Sequence, residues 1–216
     1  MLTLTLGKAG APISILCLGA HCDDIEIGCG ATLLRLLAEH PGSSVHWVIF
    51  SSTEEREQEA RGSAAEFLAG ARRSEVEICS FRESFFPFVG ASIKEHFERV
   101  KSAVRPDIVL THRVQDVHQD HRIVGELTWN TFRDHLIAEY EIPKYEGDLG
   151  HPNLYVPVTG LVARRKVEML LRYYGSQAGR QWFRAETFEA LMRLRGIECN
   201  AAEGYAEAFH AGKLLL

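Results

Sequence analysis

The stretch Ile13-Ser14-Ile15-Leu16-Cys17-Leu18-Gly19-Ala20-His21-Cys22-Asp23-Asp24 decides the fold. Ile13 to Gly19 is a short apolar run, β-branched at its start and bounded by Pro12 and a polar cluster, so it reads as a fully buried strand. Outward from it the pattern alternates. From Gly28, Leu33, Leu34, Leu36 and Leu37 recur at helical spacing until Pro41-Gly42 stops them. Val45 to Phe50 is a second strand, and Glu54 to Leu68 a helix with Ala60, Ala64, Phe67 and Leu68 on one stripe. Glu75 to Phe81, Ile93 to Val104 and Asp107 to Thr111 continue as strand, helix and strand. Strands alternating with helices imply right-handed βαβ units. The predicted fold is therefore α/β, a Rossmann-like, doubly wound, mostly parallel sheet with helices on both faces.

Beyond Ile123 the pattern predicts a helix over Val124 to Ala138, an extended Glu139 to Pro143 and a loop over Lys144 to Pro157. Helices near Val162 to Tyr174 and Gln181 to Arg195 follow. Nothing divides the 216 residues, so a single domain over 1–216 is expected. A formal charge of −5 gives no electrostatic reason to expect nucleic acid as partner. No apolar run is long enough to cross a bilayer, so membrane insertion is not expected. Met1 to Gly10 lacks the features of a signal peptide. Cys17, Cys22, Cys29, Cys79 and Cys199 are odd in number and scattered, which suits free thiols better than a disulfide framework. Together these features predict a cytoplasmic protein; a homo-oligomer is left open.

In an open parallel sheet, ligands bind beyond the carboxyl ends of the strands. The first strand runs into His21-Cys22-Asp23-Asp24, and the fourth runs into His112-Arg113-Val114-Gln115-Asp116-Val117-His118-Gln119-Asp120-His121. The two densest His/Asp clusters of the chain thus fall at one sheet edge, on strands that flank the usual switch point. Zinc takes imidazole nitrogen and carboxylate oxygen, and a catalytic site keeps one position open for water. His21, Asp24 and His121 can supply such a set. Asp23 is then free to take a proton from the activated water. His118, if protonated, suits stabilisation of an oxyanion or protonation of a leaving amine, with Asp120 or Asp116 to orient it. The same ligand set also accepts iron or cobalt.

These residues resemble the LmbE-like, or PIG-L-like, zinc-dependent N-deacetylases. That family carries Ala-His-Pro-Asp-Asp after the first strand and His-Pro-Asp-His after the fourth; here they stand as Ala20-His21-Cys22-Asp23-Asp24 and His118-Gln119-Asp120-His121. Cys22 and Gln119 replace the prolines, which are not ligands. Gly28-Cys29-Gly30-Ala31-Thr32, Arg56 with Glu59, Ser176-Gln177 and Ala206-Glu207-Ala208-Phe209 also look like family features. The resemblance implies zinc on His21, Asp24 and His121, Asp23 as general base, and His118 as oxyanion stabiliser or acid. It implies removal of an acyl group, most often acetyl, from an amino sugar or glycoconjugate.

Arg56, Arg113 and Asp116 are candidate substrate contacts. The plain reading of Arg56 and Glu59 is a solvated helix face. Of His112, Arg113 and Asp116, one is expected to reach the pocket. His40, His46, His96, His135, His151 and His210 read as structural or solvent-facing, and Tyr140 to Pro157 as either a binding loop or a packed surface loop. Two rival functions exist: a methyltransferase that binds S-adenosylmethionine at Glu26, Gly28 and Gly30, and a non-catalytic zinc- or sugar-binding module. The first would need its glycines directly after the strand, where the His/Asp turn stands instead.

Overall fold

β1 (Ser14–Gly19) occupies the interior of a seven-stranded sheet, which explains its unbroken apolar character. The computed structural model describes residues 2–214; Met1 of the Met1–Gly10 stretch, and Leu215 and Leu216, lie outside the described residues. β2 (Ser44–Ile49) and β4 (Ile108–His112) flank β1 in parallel. β3 (Arg73–Ile78) lies outside β2, and β5 (Leu136–Tyr140) outside β4, both parallel. β6 (Leu154–Val158) and β7 (Tyr205–Ala211) complete the order β3-β2-β1-β4-β5-β7-β6, with β7 antiparallel to both neighbours.

Alternation along β1 feeds two cores. Ile15 and Cys17 join α1 (Asp24–Glu39), α2 (Glu54–Phe67), α5 (Gly160–Tyr173) and α6 (Ala185–Glu198) on one side. Leu16 and Leu18 join α3 (Gly90–Ala103) and α4 (Gln119–Thr131) on the other. Helices on both faces of a mostly parallel sheet match the sequence expectation.

Three expectations are corrected in the second half of the chain. The helix expected over Val124 to Ala138 ends at Thr131, and Leu136–Tyr140 is β5, beside β4. A short apolar run of this kind has no period that separates buried strand from buried helix. The Lys144 to Pro157 loop ends in a strand, β6, whose Pro157 is tolerated because β6 is the sheet edge. β7 follows α6 where no strand was expected.

α1 begins at Asp24, earlier than the leucine spacing suggests, and it breaks at Cys29, where φ is −146° and ψ is 16°. The break exposes helix-end groups inside the protein, where they need partners. Lys166 Nζ donates to the Ile27 carbonyl at 2.6 Å. The Glu207 carboxylate accepts from the Ala31 and Thr32 amides at 3.0 and 2.6 Å. Lys166 and Glu207 pair with each other at 2.5 Å, and both are buried. A cation thus caps the carboxyl end of one half-helix and an anion caps the amino end of the next, each with the sign its dipole favours. Gly28 and Gly30 lie at this break because a Cβ would meet Tyr140 at 2.2 Å and Phe67 at 2.8 Å. The glycines serve packing within a helix, which removes the nucleotide-turn geometry that the methyltransferase reading needs.

Candidate metal centre

His21 leaves β1 on the turn that starts α1. Asp24 Oδ2 accepts the His21 backbone N–H at 2.6 Å, which fixes the two residues on one side of that turn. His121 comes from the first turn of α4, across the β1–β4 seam. The three side chains meet. His21 Nδ1 lies 3.2 Å from His121 Nε2 and 3.4 Å from Asp24 Oδ2, and His121 Nε2 lies 3.5 Å from Asp24 Oδ1. Ligands bound at roughly 2.0–2.2 Å to one tetrahedral centre stand about 3.3–3.6 Å apart. The observed edges are of that size, although the two to Asp24 end on its different oxygens, so the donor set fits a zinc-like ion. His118 and His112 enlarge the set: His21, His118 and His121 form one compact group, and Asp24, His112 and His121 another.

The electrostatics also favour a cation. Burial works against a charged His21, but Asp24 and Asp120 outweigh it and push its pKa up to about 10. Burial opposes the Asp24 carboxylate too, yet His121, His112 and His21 hold it well below the usual range. His121 behaves oppositely: burial and His112 push it down to about 3, leaving a neutral imidazole. Its Nδ1 lies 3.1 Å from Asp116 Oδ2, so Nδ1 carries the proton and Nε2 is free to face His21 and Asp24.

Asp23 and His118 are the neighbouring groups with spare capacity. Asp23 is buried; its Oδ1 accepts from Arg56 at 2.8 Å, and its Oδ2 has no partner. Burial raises the Asp23 pKa against the pull of Arg56. His118 Nδ1 is likewise buried without a partner, and the ring stands edge-on to His21 at 5.1 Å. Burial, then His21, lower the His118 pKa, which favours its neutral form. Neither expected partner orients its ring. Asp120 instead lies 3.3 Å from His21 Nε2 and accepts the amides of Ser84 and Phe86 at 2.6 and 3.2 Å. Asp116 holds the His118 backbone amide at 2.8 Å.

Arg56 belongs to the site, not to a solvated helix face. Thr53 caps α2, accepting the Arg56 amide at 3.4 Å, and the guanidinium turns inward to Asp23. Glu59, one helical turn on, accepts from the Ser176 amide and hydroxyl at 2.8 and 2.6 Å. Of His112 at the end of β4 and Arg113 and Asp116 in the loop after it, two reach the centre where one was expected. His112 is fully buried, its Nε2 3.0 Å from Asp24 Oδ2, and its ring stacks on His121 at 4.0 Å. Asp116 is the other. Arg113 turns away: it donates to the Asp148 carbonyl at 3.0 Å and lines a pocket with Trp129, Glu139 and His210. Cys22 points to Ser52, with Sγ 3.1 Å from its hydroxyl, and burial pushes the thiol up to about 11. His46 and His96, set aside from the sequence, share Glu77 at the outer sheet edge at 2.5 and 3.1 Å. The sequence offered His112 and Arg56 as candidates but not their partners, since each reaches Asp24 or Asp23 through packing between distant segments.

Fold and site together define an α/β protein with a His/Asp cluster of metal-ligand geometry at the carboxyl ends of its first and fourth strands. The model of the PIG-L family, GlcNAc-PI de-N-acetylase, matches residues 16–132, and the chain belongs to that family. No curated protein sequence matches it. Among solved structures, a conserved protein from Thermus thermophilus is similar at 20% identity and TM-score 0.72, over 94% of this chain and 96% of that one. The N,N'-diacetylchitobiose deacetylase from Pyrococcus horikoshii is similar at 18% identity and TM-score 0.69, over 95% and 84%. A 4-carboxy-2-hydroxymuconate hydratase from Pseudomonas putida is similar at 17% and TM-score 0.72, over 94% and 98%. At these identities the likeness is one of fold.

Proposed function

We propose that this chain is a metal-dependent amidohydrolase that removes an N-acyl group, in the first place acetyl, from an amino sugar or its conjugate. The family supports a de-N-acetylase. Fold alone does not choose the reaction, because a hydratase shares it. The observation that carries the reading is the unpartnered Oδ2 of Asp23, buried beside three residues whose donor atoms approach one another to 3.2–3.5 Å. A binding module has no use for a buried carboxylate oxygen left unsatisfied.

His21, Asp24 and His121 would hold the ion, with zinc the default for two imidazoles and a carboxylate. When bound, such an ion supplies Lewis acidity and lowers the pKa of a water toward about 7. Arg56 grips Asp23 by Oδ1 and leaves Oδ2 without a partner. Asp23 takes the proton from the attacking water. The neutral imidazole of His118 donates a hydrogen bond to the oxygen that gains charge as the amide carbon becomes tetrahedral. The proton on Asp23 then passes to the leaving amine, giving a free amino sugar and acetate. Asp120 steadies His21 and ties the 82–88 segment to the site through two amides.

The test is amine release from a panel of N-acetyl amino sugars, free and conjugated, before and after chelation and after zinc is restored. Release that disappears with the metal and returns with it supports the reading. Release that persists in metal-free protein refutes it. Cytoplasmic residence belongs to the same proposal; among the described residues no helix is long and apolar enough to cross a membrane.

A further inference from the structure

His121 can direct Nε2 at His21 and Asp24 only while Nδ1 keeps its proton, and the acceptor for that proton is Asp116 Oδ2. The same oxygen receives Lys144 Nζ at 2.9 Å. Lys144 comes from the segment between β5 and β6, which neither sequence motif includes. Its ammonium also meets Asp148 Oδ1 at 2.5 Å, and it is largely buried, with 12% of its side chain exposed. Asp116 is buried as well, and its other oxygen holds the His118 amide. One carboxylate thus sets the ring of His121 and the backbone of His118, and Lys144 supplies the fixed cation against it.

We propose that Lys144 is a positioning residue for the metal centre: it locks Asp116 so that His121 presents Nε2, and it acts on metal affinity without touching metal or substrate. This rests on the metal-dependent reading above. A simple loop tether is the alternative, and the contacts separate the two. The segment is already fastened by Asp148 Oδ2 to the Val117 amide at 2.7 Å and by the Asp148 carbonyl to Arg113. The Lys144–Asp116 contact is therefore not the loop's only fastening. What it adds is a charge-assisted hold on the carboxylate that orients a ligand, the kind of contact whose loss typically costs about 10–100-fold in metal affinity.

The experiment measures zinc affinity by chelator competition, with thermal melting of the metal-free proteins alongside. Lys144→Met should bind zinc about 10–100-fold more weakly; its metal-free melting temperature should also fall, because Asp116 and Asp148 lose their cation, with the protein still folded at the assay temperature. Lys144→Arg, which keeps the charge, should recover most of the affinity. Asp148→Asn, which loosens the loop but leaves Lys144 on Asp116, should bind almost as tightly as wild type. Should Lys144→Met fail to fold, Lys144→Gln replaces it. Wild-type affinity in the neutral variants, or an equal loss in Asp148→Asn, overturns the proposal and assigns Lys144 to the loop. If wild type itself binds no zinc, the functional reading fails instead, a distinguishable result.

Discussion

Arg56 and Asp23 carry the first prediction at the scale of single residues. Asp23→Asn should keep the bound metal, because Asp23 is in neither group of side chains close enough to share an ion, yet amine release should fall about 10²–10⁴-fold. Metal content and turnover measured on one preparation check this; parallel loss of both would make Asp23 a ligand. Arg56→Met leaves the Asp23 carboxylate buried without its cation, and activity should fall about 10–100-fold with metal retained. At this scale the sequence was partly legible. His21, Asp24, Asp23, His118 and His121 lie within two short segments, so local spacing revealed them. Arg56 and His112 were not readable as partners of Asp23 and Asp24, since the contacts span 33 and 88 residues. The partner exchange between Asp116 and Asp120 was equally hidden, because it depends on which way a helix start faces.

At the scale of elements, the broken helix α1 links the site to the far side of the fold. Lys166 and Glu207 hold its two halves, and each lies in a segment distant from the break. Removing one partner of a buried ion pair leaves an uncompensated charge, so Lys166→Met or Glu207→Gln should each cost roughly 3–5 kcal/mol. The double variant should lose much less than the sum, since neither charge then remains. Denaturant melts of the four proteins test this; additive losses would contradict the capping account. Leucine spacing revealed that a helix follows the first strand, but not that it is broken. The break depends on Tyr140, Phe67, Lys166 and Glu207, all remote in sequence. β5 and β7 escaped for a related reason: Leu136–Tyr140 and Tyr205–Ala211 are short runs whose strand character comes from the neighbours they pair with.

For the whole molecule, stability should fall in mild acid through His210. Burial, with Arg113 and Arg195 nearby, pushes its pKa down to about 4 from an ordinary value near 6.5. Above about pH 6.5 the imidazole is neutral in folded and unfolded chains alike, and it costs nothing. Between about 6.5 and 4 the unfolded chain takes up a proton that the folded chain refuses, so stability declines as pH falls through that window. His210→Gln should flatten this part of the profile by about 1–2 kcal/mol, after allowance for solvent around a half-buried ring. Urea melts at intervals from pH 7 to 4 give the comparison, and an unchanged slope would contradict it. The fold as a whole was legible because strand–helix alternation admits few arrangements, and because the sheet's switch point lies where its ligand residues cluster.

The most direct measurement is an anomalous difference map at the zinc absorption edge, from crystals of the protein grown with zinc. The account predicts one peak within about 2.0–2.2 Å of side-chain atoms of His21, Asp24 and His121, with Asp23 close by and not coordinating. A peak elsewhere, or none at that place, would contradict it.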